Sequence, residues 1–168
     1  EMIRAGSRCD QLVSLSDFMA TCADILGKTL PDTSAEDSVS MIPLFEETGK
    51  AIRDYVVNHS IYGKFAIRDN KWKLVLCPGS GGWSKDDAEA ALKGLPLVQL
   101  YDMETDPGEK NNLSTKYPER VKTMINILEK IVEDGRSTPG EKQSNDVPVD
   151  IWKLDTMPEV NSDILDDY

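Results

Sequence analysis

The chain has 168 residues, of which 39% are hydrophobic, and a mean hydropathy of -0.41, so it can bury the core of one globular domain. Its 30 acidic and 19 basic residues give a net charge of -11, which disfavours binding to nucleic acid or to an anionic membrane. No apolar run is long enough to form a transmembrane helix.

The first part of the chain predicts one amphipathic helix. The opening residues, EMIRAGSRCDQL, lack a signal-peptide pattern and begin no element, so we expect the chain to start inside a domain. SLSDFMATCADILG then predicts a helix at about residues 14–26, capped by Ser14 or Ser16 and stopped by Gly27. Its apolar face needs a partner surface and comprises Leu15, Phe18, Met19, Cys22, Ile25 and Leu26.

Four segments predict an antiparallel sheet. Residues 52–59 can form a strand, KFAIRD and NKWKLVL follow, and PLVQLYDM supplies another. Asp69-Asn70 is predicted as a two-residue hairpin turn with a left-handed backbone. In NKWKLVL apolar and mostly charged residues alternate, so one face of the sheet should be apolar and the other in water. The glycine-rich loop CPGSGGWSKDD carries Trp83, and residues 88–93 are expected to add a helical turn.

A second helix is predicted at about residues 117–134, with Pro118 in its first turn and Gly135 after its end. Its apolar stripe should cover the apolar face of the sheet. From residue 137 the composition predicts an acidic, flexible tail, in which only VDIWKL has enough apolar content to dock. The expected fold class is therefore α+β, a small antiparallel sheet covered by a C-terminal helix.

The chain shows no catalytic set of its own. Cys9, Cys22 and Cys77, with a single histidine, cannot supply a four-ligand zinc site; buried free thiols are expected at Cys22 and Cys77, and a disulfide stays open. His59 and Ser60 are neighbours, but adjacent side chains on a strand point to opposite faces, which disfavours a nucleophile–base pair. We therefore expect no catalytic residue and no metal ligand in this chain.

Three segments together resemble the C-terminal portion of the sulfatases, of the arylsulfatase A type within the alkaline-phosphatase-like superfamily. The first, residues 10–31, is similar to the pattern D-L-x-x-T-x-A-D-L-x-G, and the second, FAIRDNKWKLVL, to A-I-R-x-G-x-W-K-L. The third, QLYDMETDPGEKNNLS, matches L-Y-D-L-x-x-D-P-x-E-x-x-N-L and is interpreted as a folding motif. The resemblance covers roughly residues 8–136 and depends on the order and spacing of all three segments.

The resemblance implies a parent enzyme that hydrolyses sulfate esters with a formylglycine and a calcium ion. Cys77-Pro78 lacks the arginine of the C/S-x-P-x-R formylglycine motif, and the calcium ligands are expected upstream of residue 1. The expected substrate is a sulfated carbohydrate or an aryl sulfate, and the expected location is periplasmic, extracellular or lysosomal. A phosphatase or phosphonate hydrolase of the same superfamily and a non-catalytic carbohydrate-binding module, with His59, Tyr62 and Trp83 facing the sugar, are the alternatives.

The resemblance also implies a division of the chain. Residues 1–48 would end a large α/β domain that precedes them in the same protein, residues 49–136 would form the C-terminal sheet and helix, and residues 137–168 the tail. Asn58-His59-Ser60 resembles a V-V-H-H-S strand end of relatives. Asn58 and His59, at this strand end beside the expected cleft, and Trp83 are predicted to contact substrate.

Overall fold

A computed structural model describes residues 3–46, 50–83, 93–156, 165 and 168. Its helices are α1 (Asp17–Ile25), α2 (Ile42–Phe45), α3 (Pro118–Asp134) and a short 3-10 turn at Leu154–Thr156. Its strands are β1 (Val56–His59), β2 (Phe65–Arg68), β3 (Trp72–Val75) and β4 (Gln99–Asp102). Among the helices of these residues, none is long and apolar enough to cross a membrane. The helical turn expected at residues 88–93 falls largely outside the described residues.

The chain divides into two compact units. The first comprises residues 1–56 with 131–146, and the second comprises residues 57–130 with 147–168. The domain boundaries drawn from the sequence, at 48/49 and 136/137, stay a prediction.

In the first unit the start of α1 is organised by a buried carboxylate. Asp17 is fully buried, forms an ion pair with Arg53 and accepts hydrogen bonds from the backbone N–H groups of Ser14, at 2.7 Å, and Val39, at 3.0 Å. Of the two predicted serine caps, Ser16 makes no side-chain cap bond, whereas the Ser14 hydroxyl oxygen accepts the N–H of Ser16 at 3.3 Å just before the helix. A buried charge is tolerated here because it is both paired and hydrogen-bonded.

The apolar face of α1 and its flanking residues is exposed in the part of the chain that the structure describes. Leu15 is 85% exposed, and Phe18, Met19, Ile25 and Leu26 are also exposed. The expectation of a buried thiol at Cys22 is wrong for the same reason: Cys22 lies on this open face, whereas Cys77 is buried as expected. Cys9, Cys22 and Cys77 are all free thiols.

In the second unit the four strands form an antiparallel sheet in the order β1-β2-β3-β4. One row across the sheet, Ile67, Leu74 and Leu100, is completely buried. The stripe of α3 formed by Val121, Met124, Ile125 and Leu128 is buried too, so sheet and helix supply the apolar core as predicted. The sheet strands are shorter than the sequence suggests, since β1 begins at Val56 and not at residue 52.

The β2–β3 turn differs from its prediction by one residue. Arg68 pairs with Lys73, and the Asp69 N–H donates to the Trp72 carbonyl at 2.9 Å, so Asn70 and Lys71 are the central residues. Neither Asp69 nor Asn70 has a positive φ. Asp69 instead accepts the backbone N–H groups of Lys71 and Trp72 on its carboxylate, which closes the turn without a left-handed residue.

The third sequence motif connects β4 to α3. Asn112 accepts the N–H groups of Leu100, at 3.0 Å, and Ser114, at 2.9 Å, and donates to the Val98 carbonyl at 3.1 Å. Its amide thus bonds the strand and the segment before the helix at once, as expected of a folding motif. The start of α3 is held against the hairpin by the Arg120–Asp69 ion pair.

Candidate functional site

A cleft of about 580 Å³ lies on the face of the sheet opposite its buried row. Cross-strand register places two rows of side chains in it, and the rows continue from β2 through β3 to β4. These side chains are Ala66, Val75 and Gln99 in one row and Arg68, Lys73 and Tyr101 in the other. The predicted wet face of the sheet is therefore a concave polar surface, in the size range of roughly 300–1,000 Å³ that small-molecule sites have.

The structure brings Asn58, His59 and Trp83, the three side chains predicted to contact substrate, to this one cleft. Asn58 and His59 end β1 and are exposed. The His59 Nδ1 atom lies 2.9 Å from the Ser60 carbonyl oxygen. A carbonyl only accepts, so Nδ1 carries a proton in this contact, which leaves Nε2 as the ring nitrogen that can meet a ligand.

Ser60 has a structural task in the turn between β1 and β2. Its Oγ accepts the N–H groups of Tyr62, at 3.3 Å, and Lys64, at 3.1 Å. His59 bonds the carbonyl of Ser60 and not its hydroxyl. His59 and Ser60 therefore form the end of a strand. Their hydrogen bonds do not place the imidazole where it could act as a general base for the Ser60 hydroxyl.

Trp83 is held at the rim of the cleft by two glycines. Gly81 and Gly82 have φ angles of +64° and +91°, and a Cβ at Gly82 would lie 2.2 Å from the Tyr62 ring. This contact packs the loop onto the turn after β1. The indole of Trp83 is 81% exposed, so its faces are open to a ligand.

Gln99 and Tyr101 fix the floor of the cleft. The Gln99 side-chain amide donates to the carbonyls of Cys77, at 2.6 Å, and Gly79, at 2.8 Å, and its oxygen accepts the Tyr101 hydroxyl at 2.6 Å. Because the Tyr101 hydroxyl donates its proton to Gln99, its oxygen can act only as an acceptor toward any further partner. Burial raises the pKa of Tyr101, and the charges of Glu109, Asp106 and Cys77 add to the rise.

Charged side chains complete the lining. Lys73 and Glu109 form an ion pair at 2.7 Å, and Glu109 reaches it from a backbone with a φ of +53°. Lys64 is only 1% exposed, and its ammonium donates to the carbonyl of Lys153 at 3.0 Å. It thereby ties residues 152–153 to the β1–β2 turn.

The lining residues that the sequence did not identify include Arg68, Lys73, Gln99, Tyr101 and Glu109. Arg68, Lys73, Gln99 and Tyr101 stand on the face of the sheet opposite its buried row, and strand alternation is the sequence signal for that face. Glu109 belongs to the third motif, which was interpreted as a folding motif alone. Its approach to Lys73 depends on the left-handed backbone and has no sequence signal of its own.

The residues that the structure describes do not fit a metal centre. Within ranges 3–46, 50–83 and 93–156, no group of three or more His, Cys, Asp or Glu side chains is placed to hold a metal ion. Cys77 is buried and its thiol contacts the Gly79 carbonyl, with no arginine at the position that the formylglycine motif requires. No chemical step through calcium or formylglycine is therefore assigned to this segment.

Known proteins that resemble this chain in sequence and in fold include several sulfatases. An N-acetylgalactosamine-6-O-sulfatase of Bacteroides thetaiotaomicron is 31% identical over 123 residues, covering 71% of this chain and 23% of that protein. Arylsulfatase K of Homo sapiens is 28% identical over 166 residues, covering 90% of this chain and 28% of that protein. A solved 2-O GAG sulfatase structure matches with a TM-score of 0.56 at 22% identity, over 85% of this chain and 31% of that chain. No protein-family model matches the chain.

These likenesses define an α+β segment of the sulfatase class. The chain belongs to the sulfatase family, where it matches the C-terminal part, as the sequence motifs predicted. It spans about a quarter of the length of the two curated relatives.

Proposed function

We propose that the protein carrying this segment hydrolyses sulfate esters and that the cleft on the small sheet contacts the substrate beside the reacting ester. The match to curated sulfatases carries the proposal of activity. The convergence of Asn58, His59 and Trp83 on one cleft supports the proposal of contact. The relatives do not favour a phosphatase or a stand-alone binding module.

The side chains of the cleft suit a sugar. An exposed indole such as Trp83 can stack on the apolar face of a pyranose ring, while the Asn58 amide both donates to and accepts from hydroxyl groups. The His59 Nε2 atom and the Tyr101 oxygen add two further polar groups. We therefore propose a sulfated carbohydrate as the substrate in preference to a small aryl sulfate, which would leave these polar groups without partners.

The proposal extends to the rest of the protein. Calcium and a formylglycine would be supplied by residues outside this segment, in a large domain of the same chain. The open apolar face of α1, with Leu15, Phe18 and Leu26, is proposed to pack against that domain. A periplasmic, extracellular or lysosomal location, as expected from the family, is part of the same proposal.

The test is sulfate release by the natural full-length protein. Sulfated oligosaccharides, an aryl sulfate and an aryl phosphate are offered as substrates, and free sulfate and phosphate are measured by ion chromatography. We expect sulfate release, with Trp83→Ala raising KM for the oligosaccharide more than for the aryl ester.

Phosphate release without sulfate release would contradict the proposed activity. Equal effects of Trp83→Ala on both esters would contradict the role of the cleft. Metal analysis and mass spectrometry of the same protein test for calcium and formylglycine.

A further inference from the structure

Within the described part of the chain, the cleft contains one arginine, Arg68, that no carboxylate neutralises. Arg68 on β2 stands directly opposite Lys73 on β3, and both side chains line the cleft. Lys73 is paired with Glu109. Among the residues that the structure describes, Arg68 has no carboxylate partner, and its buried Nε atom has no hydrogen-bond partner.

This arrangement is unfavourable for the protein alone. Like charges directly opposite each other on neighbouring strands repel, and a buried N–H without an acceptor loses the hydrogen bonds it had in water. The chain carries 30 acidic residues, yet among the described residues of the cleft the opposed pair Arg68 and Lys73 meets the carboxylate of Glu109 alone. An unbalanced arginine in a cleft is what a site for an anionic ligand requires.

We propose that Arg68 binds a second anionic group of the substrate glycan, a carboxylate or sulfate on a sugar next to the one that carries the reacting ester. This inference depends on the function proposed above and specifies the substrate as a polyanionic glycan. The planar guanidinium can donate two parallel hydrogen bonds to either oxyanion. Trp83 at the rim would stack on a sugar ring while Arg68 on the sheet holds its charge. Arg68 is thus a specificity-determining residue that acts at a distance from the chemistry.

The experiment uses the full-length protein and three matched sulfated disaccharides. The sulfated sugar is the same in each, and its neighbour is a neutral sugar, a uronate or a second sulfated sugar. The variants are Arg68→Gln, Arg68→Lys and the control Arg8→Gln, an exposed arginine outside the cleft. The measured quantity is kcat/KM for sulfate release from each substrate.

For Arg68→Gln we expect kcat/KM on the preferred anionic substrate to fall about 10- to 100-fold relative to the neutral one, since hydrogen bonds to charged groups have this magnitude. The loss should appear in KM, Arg68→Lys should recover part of it, and Arg8→Gln should leave the ratio unchanged. Comparing the disaccharide that carries a uronate with the one that carries a second sulfate shows which anion Arg68 binds. Equal losses on all three substrates would overturn the inference.

Stability gives a second readout. Because Arg68→Gln removes a like-charge repulsion, this variant should unfold at the same urea concentration as the natural protein or at a higher one. A clear fall would show that Arg68 is paired with a protein group and would also overturn the inference. If the natural protein releases sulfate equally well from all three disaccharides, only the proposed role of Arg68 is wrong. If it releases no sulfate from any substrate, the proposed function itself is wrong.

Discussion

Glu109 lines the cleft and pairs with Lys73 at 2.7 Å, so it neutralises one of the two cations that stand opposite each other on β2 and β3. Removing its charge would leave Arg68 and Lys73 opposed without compensation. The backbone at Glu109 lowers the stability of the fold, because its φ of +53° is in the left-handed region, which is unfavourable for residues other than glycine.

For Glu109→Gln we expect the free energy of unfolding to fall by about 0.5–1 kcal/mol, the usual range for a part-exposed pair and for a cross-strand repulsion. The measurement is urea unfolding at low and high salt, and the loss should shrink at high salt because salt screens the repulsion. Glu109→Gly also removes the charge but relieves the left-handed backbone, so it should be more stable than Glu109→Gln by about 1 kcal/mol. A Glu109→Gln variant as stable as the natural protein at low salt would contradict this view of the pair.

The raised pKa of Tyr101 predicts that the free energy of unfolding depends on pH in alkaline solution. Burial, then the charge of Glu109, raises its pKa, so the folded protein keeps this proton to a higher pH than the unfolded chain does. The contribution to stability is therefore complete below the unfolded pKa of about 10 and is lost as pH rises through the folded pKa. Urea unfolding measured from pH 8 to 11 should show a smaller decline for Tyr101→Phe than for the natural protein.

The Gln99 hydrogen bond is lost at every pH in that variant, so the slope with pH and not the absolute stability is the readout. Tyr62→Phe is the matched control because the Tyr62 ring is exposed. Parallel pH curves for the natural protein and Tyr101→Phe would contradict the prediction.

Gly82 should be far less tolerant of a side chain than another left-handed glycine of the same unit. In Gly82→Ala the added Cβ would lie 2.2 Å from the Tyr62 ring, at a φ of +91°. Gly94 has a φ of +73° and nothing within 4 Å of an added Cβ. Gly94→Ala should thus lose only the backbone term of about 1 kcal/mol, whereas Gly82→Ala should lose about 1–3 kcal/mol more from overpacking.

The same pair of variants tests the placement of Trp83. Displacement of the loop in Gly82→Ala should raise KM for a sulfated oligosaccharide, while Gly94→Ala leaves it unchanged. Equal stabilities and equal KM values for the two variants would show that the contact between Gly82 and Tyr62 does not hold the loop.

Local pattern was enough to predict the scaffold. Alternation in NKWKLVL placed Leu74 in the buried row, and helical spacing placed Val121 and Met124 on the buried side of α3. The strand pairings are local too, so their order followed from short connections. These elements depend on periodicity, which a sequence shows directly.

The cleft depends on relationships that periodicity does not show. Lys73 and Tyr101 are far apart in the chain and become neighbours only because β3 and β4 pair in one particular register. The left-handed conformation falls on Glu109 and not on the preceding Gly108, where residue type alone would place it. The exposure of the α1 face likewise depends on what covers it, which no residue in α1 specifies.

The ion pair between Asp17 and Arg53 should be the most sensitive polar contact of the first unit. In Asp17→Asn the Arg53 guanidinium keeps its charge in a place from which water is largely excluded, so we expect a loss of about 3–5 kcal/mol in the free energy of unfolding. Asp24→Asn on the same helix is the control; Asp24 is exposed and bonds Ser40, so its loss should stay near 0.5–1 kcal/mol, as for an ordinary hydrogen bond.

A double-mutant cycle separates the buried charge from the lost contact. Arg53→Met combined with Asp17→Asn leaves no unpaired charge, so the double variant should be more stable than Asp17→Asn alone. The backbone N–H groups of Ser14 and Val39 bond different carboxylate oxygens, so the single oxygen of the substituted amide keeps one of these bonds and the other is lost. Additive losses in the cycle, measured by urea unfolding, would show that the pair contributes no coupling energy and that Asp17 acts through its backbone bonds alone.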